Sequence, residues 1–155
     1  MSTIKLNVPL EAQEKANCCW HTSAHMIWLY WQQNGKGAGP MNTIQPKYEV
    51  ADQTGLFPQE FITLAEKVGL YKLPVKNQHS ETDLFGYLRA GDPVWSAGYW
   101  FGCGHIIVLT GVGGGKVYFN DPDQGVKKER PVSWFNEKLA SQLQGCLMVK
   151  DPGRY

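Results

Sequence analysis

The hydrophobic period of the chain changes near Gly91-Asp92-Pro93, and that change limits the folds open to it. From Cys19 onward, Trp20, Ala24, Ile27 and Trp31 recur at helical spacing and form one apolar stripe, so a helix buried along one side is predicted. Gly35, Gly37, Gly39 and Pro40 end it and open a long loop. PQEFITLAEKVG (58–69) predicts a second amphipathic helix, with Pro58 in its first turn and Gly69 as its stop. A third runs from about Ser80, spaced from Asp83 as in a capping box, to the break at residue 91. Beyond the break, PVWSAGYW, HIIVLTGV, KVYFND and CLMVK read as strands, and the glycines at 113–115 join two of them as a hairpin. One more helix is expected near Ser133–Leu139. IKLNVPL (4–10) reads as a short extended segment that Pro9 keeps out of a central strand. The predicted class is α+β, an N-terminal central helix packed on a C-terminal antiparallel sheet.

A length of 155 residues with 43% hydrophobic residues and six tryptophans predicts one domain, 1–155, with a full core. Fifteen basic and fourteen acidic residues are mixed along the chain for a formal net charge of +1, so neither nucleic acid nor a membrane is an expected partner. No apolar run has signal-peptide or membrane-spanning length, which predicts cytoplasmic synthesis without a signal peptide. Cys18, Cys19, Cys103 and Cys146 are expected as free thiols, because a chain with such a core needs no staples and vicinal cysteines fit poorly into a disulfide framework. A zinc set of Cys18, Cys19, Cys103 and His105 lacks the paired knuckles of structural zinc sites, and no cofactor is expected.

The chemistry turns on ANCCWHTSAHMIW (16–28), where two cysteines precede the first helix. A helix N-terminus and a neighbouring histidine both favour a thiolate, and the first of these does not separate Cys18 from Cys19. His21 and His25 share the helix with them at spacings that do not bring a ring to Cys19, and His79 lies in the polar loop NQHSETD, where solvation is expected. His105 stands where the glycine-rich FGCG enters the apolar strand IIVL. A hairpin folded about Gly113 sets residue 105 opposite Asp121, near enough for the carboxylate to take an imidazole N–H; a slip of one residue would give Asn120 instead. The alternative is a polar pair decorating a sheet edge.

Gln13 lies six residues before Cys19, and Trp20, Ser23 and Ala24 follow it, giving Q-x5-C-W-x-x-S-A. This pattern, with His105 at a strand start and an acid sixteen residues later, resembles the papain-like cysteine proteases. VPLEAQEKANCCW is similar to the opening of bacterial effector proteases delivered into plant cells, and GDPVWSAGYWFGCGHIIVLTGV with FNDPDQG is similar to the bacteriocin-leader peptidases, whose histidine pairs with Asp. The likeness spans roughly residues 7 to 125 and is weakest between 35 and 80. It implies Cys19 as nucleophile, His105 as acid and base, Asp121 as its orienting partner and Gln13 as an oxyanion donor beside the Cys19 N–H. Trp20 is expected as packing. The run Trp95 to Phe101, with Trp100 before the histidine loop, is read either as cleft lining or as core, and Trp100 is the candidate substrate contact.

The expected activity is a cysteine endopeptidase acting on a protein substrate. Deamidation, transglutamination and isopeptide cleavage share the same thioester, and a noncatalytic binding module on the same fold is the remaining alternative. The absence of a fused transporter argues against a leader peptidase, and eighteen residues before Cys19 leave no room for an inhibitory propeptide. The resemblance therefore implies an effector or toxin delivered by a specialised secretion system into the target-cell cytoplasm, with a cognate inhibitor (immunity) protein as a partner. Cys103, two residues from His105, is a candidate for a redox disulfide with Cys19.

Overall fold

The computed structural model describes residues 2–37, 39–41, 47–51 and 53–155. Its elements in chain order are β1 (Ile4–Lys5), α1 (Cys19–Gln33), a 3₁₀ turn (Pro58–Glu60) leading into α2 (Phe61–Val68), β2 (Leu70–Lys72), α3 (Glu81–Arg89), β3 (Val94–Gly98), β4 (His105–Gly113), β5 (Lys116–Asp121), β6 (Val126–Pro131), α4 (Val132–Lys138) and β7 (Leu147–Lys150). The class is the expected mixture of helix and antiparallel sheet, with α1 ahead of the sheet.

The helices follow from local signals. Trp20, Ala24, Ile27 and Trp31 are buried along α1 together with Met26 and Tyr30. Each large apolar side chain removed from water there contributes on the order of 1.5–3 kcal/mol. The α2 helix buries Phe61, Leu64, Ala65 and Val68, and Gly69 ends it in the left-handed region at φ 71°. Ser80 caps α3 by accepting the Asp83 N–H, while the Asp83 carboxylate accepts the Ser80 N–H.

Among the described residues the seven strands form one sheet, with β2-β7-β3-β4-β5-β6 in order, β1 off this path, and every pairing antiparallel. The β1 strand pairs with the far end of β4, Ile4 opposite Val112, where β3 has already ended opposite Leu109. The α1 helix lies against β3 and β4: the Trp95 indole donates to Trp20 O at 3.1 Å, and Ser23 Oγ donates to Ile106 O at 3.4 Å. Two strands escape the sequence reading. The β2 strand is only three residues long, and β6 (VKKERP) has no apolar alternation because it is an edge strand whose charges discourage pairing with another chain.

Two expectations are corrected. The hairpin does not fold about Gly113: Gly113 pairs with Lys116 around a two-residue turn, Gly114 and Gly115, both at positive φ. His79 is not solvated but 1% exposed, because Asn136 clamps its backbone through both its N–H and its C=O. Burial pushes the His79 ring's pKa down, and the Lys76 charge adds to this.

Candidate active site

Cys19 is the first residue of α1, so its backbone N–H belongs to the turn that has no intrahelical acceptor. Cys18 is the N-cap, and its side chain turns the other way: it is 1% exposed, with Sγ against Lys15 N and O at 3.3 and 3.4 Å and near Thr22 Oγ1. Cys19 faces a cavity of about 470 Å³ that His105 and Gln13 also line. The vicinal pair is thus divided between core and cavity.

His105 opens β4 and Asp121 closes β5. His105 Nε2 lies 2.6 Å from Asp121 Oδ1, and the ring shares the cavity wall with Cys19. The two residues are not directly opposite, as the hairpin about Gly113 would make them. The register shifts at Thr110, so Asn120 pairs with Val108, and one step further brings Asp121 level with Ile107. His105 is two residues along on the same face, a diagonal neighbour within reach of an imidazole ring. Asn120 points to the α1 side, where its Nδ2 donates to Val8 O and Pro9 O and approaches Met26 Sδ. It does not orient His105.

Asp121 is buried and fully engaged. Besides His105, its Oδ1 accepts the Asp123 N–H at 2.9 Å, and its Oδ2 takes Lys128 Nζ at 2.8 Å. Burial works to raise the Asp121 pKa, but the hydrogen bonds from His105, Lys128 and Asp123 outweigh it and hold the carboxyl below its usual range. For His105, burial pulls the pKa down; the bond to Asp121, then the bond to and charge of Cys19, overcome it and raise the ring to about 10. The imidazolium is therefore favoured across the neutral range.

Gln13 is anchored to the acid's loop, its backbone N–H donating to Pro122 O at 2.8 Å. Its amide differs from expectation. Nε2 donates to Lys15 O at 2.9 Å and Ala16 O at 2.8 Å, two carbonyls of its own loop, while Oε1 is buried without a partner among the described residues. Service as an oxyanion donor needs a turn of this amide toward the cavity.

Trp20 packs as expected, fully buried with its indole N–H on Asn17 O. Trp100 is a correction: it is 1% exposed, donates to Ser96 O and stacks beside Trp134 and Phe135, so it offers no surface to a substrate. Its sequence neighbours Tyr99 and Phe101, 50% and 42% exposed, line the cavity in its place. Sequence reasoning also missed Lys128, because nothing local marks a lysine of an edge strand as the partner of a buried acid.

His21 and His25 lie away from the site, along a separate cavity of about 190 Å³ with Glu11 and Glu14; His25 Nδ1 is 2.5 Å from Glu11 Oε1. Cys18, Cys19, Cys103 and Cys146 are free thiols, and Cys103 is exposed at the cavity. With Cys18 in the core, the zinc set drawn from the sequence is not assembled, and among the described residues no group of three or more His, Cys, Asp or Glu is arranged to hold a metal ion.

A buried carboxylate, an imidazole and a thiol in series, at a helix N-terminus and open to a cavity, can generate a nucleophilic sulfur and return a proton to a leaving group. The family model described as papain-like cysteine protease AvrRpt2 matches residues 2–140. Among curated proteins none matches the chain. Among solved structures, a crystal structure of a double glycine motif protease from an AMS/PCAT transporter in complex with the leader peptide is similar in fold, with a TM-score of 0.57 over 94% of this chain and 91% of that one, at 18% identity.

Proposed function

Because the chain belongs to the AvrRpt2 family of papain-like cysteine proteases, we propose that it cleaves peptide bonds of a protein substrate with Cys19 as nucleophile, His105 as acid and base, and Asp121 as the group that orients the ring. The observation that carries this reading is the position of His105, bonded through Nε2 to Asp121 at 2.6 Å and lining the same cavity as Cys19.

The cycle conserves its atoms simply. The Cys19 sulfur adds to the substrate carbonyl, and the oxyanion takes hydrogen bonds from the Cys19 N–H and from the Gln13 amide once it has turned from Lys15 O and Ala16 O. His105 passes its proton to the departing amine as the C–N bond breaks, leaving a thioester. Neutral His105 then takes a proton from water, which attacks the thioester and frees the acid and the thiol. Asp121 keeps its charge throughout, and its engagement with Lys128 and the Asp123 N–H keeps it from turning away.

The resemblance of VPLEAQEKANCCW to effector proteases supports a biological role as an effector. On this reading the enzyme is carried by a specialised secretion system into the cytoplasm of a target cell and held in check at home by a cognate inhibitor protein. Expression in a susceptible host tests this, with toxicity expected from the wild type and not from Cys19→Ala.

Intact-mass spectrometry after iodoacetamide treatment at about pH 6 tests the chemistry first, since an ordinary thiol is almost wholly protonated there. Single labelling of the wild type, absent from Cys19→Ser, is the expected result. Slow, equal labelling of several cysteines in both proteins would sink the reading.

A further inference from the structure

The walls of the cavity differ in chemistry on the two sides of His105. Sheet order places β4 between β3 and β5. On the β3 side, Gly98 pairs with His105, and Ala97 and Ala140, joined by the Ala140 N–H to Ala97 O bond, continue with Leu143 and Phe61 into an apolar wall. On the β5 side the chain leaves Asp121 through Pro122 and brings the exposed side chain of Asp123 to the cavity next to Gln13.

Asp123 is the carboxylate among the residues described along this cavity, and its charge is left over. The charge of Asp121, by contrast, is matched by His105 and Lys128. No ion pair to the Asp123 side chain exists among the described residues. Its backbone is nevertheless anchored. The backbone N–H is bonded to Asp121 Oδ1, and the turn Pro122–Gly125 is closed by the Gly125 N–H on Pro122 O and packed against Ala12. An unpaired negative charge carried on an anchored turn at the lip of a cleft is a recognition element for a cation.

We propose that Asp123 determines specificity by selecting a basic side chain, Lys or Arg, at a substrate position beside the scissile bond on the β5 side of the cleft, opposite the apolar wall. This rests on the reading of the cavity as a peptidase site. The Asp123 carboxylate touches the substrate, whereas its backbone N–H, which any substitution except proline keeps, serves Asp121.

A mixed peptide library in which each position within a few residues of the cleaved bond carries Lys, Gln or Glu is digested by the wild type, Cys19→Ala, Asp123→Asn and Asp123→Lys, with products counted by mass spectrometry. At one position the wild type is expected to cut the Lys peptide about three- to tenfold faster than the Glu peptide, the size expected of one partly solvated ion pair. That ratio should fall to about one in Asp123→Asn, invert in Asp123→Lys, and shrink in the wild type as NaCl rises from about 50 mM to about 500 mM. Because each ratio is taken within one protein, a general loss of rate in a variant does not imitate the effect. Cys19-dependent cleavage with no preference for a basic residue, or with a preference that survives in Asp123→Asn, would overturn the proposal alone. No Cys19-dependent cleavage of any peptide would overturn the peptidase reading and the proposal with it.

Discussion

His105 and Asp121 meet as diagonal neighbours across β4 and β5, Nε2 2.6 Å from Oδ1, and the single extra residue at Thr110 is what sets them on the same face of the sheet. Carried on unbroken from the Gly113–Lys116 pair, the register would bring Asp121 level with Val108, whose side chain points to the face opposite that of His105. Thr110 Oγ1 donates to Tyr118 O at 3.2 Å and stabilises the irregularity. The pairing of ring and carboxylate is therefore a property of the strand register.

Cys18 and Cys19 are expected to respond differently to truncation. Cys19→Ala should remove all cleavage and all labelling at about pH 6. Cys18→Ala should keep the label but lower stability by on the order of 1 kcal/mol, since it empties a buried position whose sulfur meets Lys15 and Thr22. Denaturant unfolding alongside intact mass reads both effects.

Asp121→Asn should alter the pH dependence in a definite direction. The folded His105 pKa, about 10, stands above its ordinary 6.5. Its contribution to stability is thus complete below about pH 6.5 and is lost as pH rises through about 10. The wild type should lose stability over that interval, and Asp121→Asn, which lacks the main bond raising the ring, should lose less. The alkaline limb of kcat should move to lower pH in the variant and its maximum fall roughly 10²–10⁴-fold, because protonated His105 must serve the leaving amine. Urea midpoints and rate profiles across the neutral to alkaline range check both signs.

On the proposed mechanism, Gln13→Ala separates binding of the oxyanion from generation of the nucleophile. Loss of one such donor costs about 10²–10³ in kcat. Alkylation by iodoacetamide builds no oxyanion, so labelling of Cys19 should persist. Equal loss of labelling and cleavage would instead assign Gln13 to holding the loop, through Lys15 O, Ala16 O and Pro122 O.

Adjacent aromatics should have opposite roles. Trp100→Ala is expected to cost about 3–5 kcal/mol, because the indole fills the core against Trp134 and Phe135. Tyr99→Ala should leave stability within about 0.5 kcal/mol and raise KM, since the ring is half exposed at the cavity. Thermal unfolding and peptide kinetics on the two variants distinguish these outcomes.

The sequence by itself determined the elements whose signals lie within a few residues of one another. The stripe from Trp20 to Trp31, the Ser80–Asp83 cap, the Gly69 stop and the apolar strand behind His105 each satisfy a local condition that any fold must respect. The resemblance carried by Q-x5-C-W added the order Gln13, Cys19, His105, Asp121. Tertiary structure alone decided what depends on residues far apart in the chain. The Gly114-Gly115 turn and the shift at Thr110 set which face Asp121 shares, and pairing of β6 beside β5 delivered Lys128 to a buried acid. Packing against α4 sent Trp100 inward and left Tyr99 and Phe101 at the cavity, and the carbonyls of Lys15 and Ala16 took the Gln13 amide. The reason is the period of two along a strand: a slip of one residue reverses every side chain, and nothing in the local sequence fixes that count until the partner strand is in place.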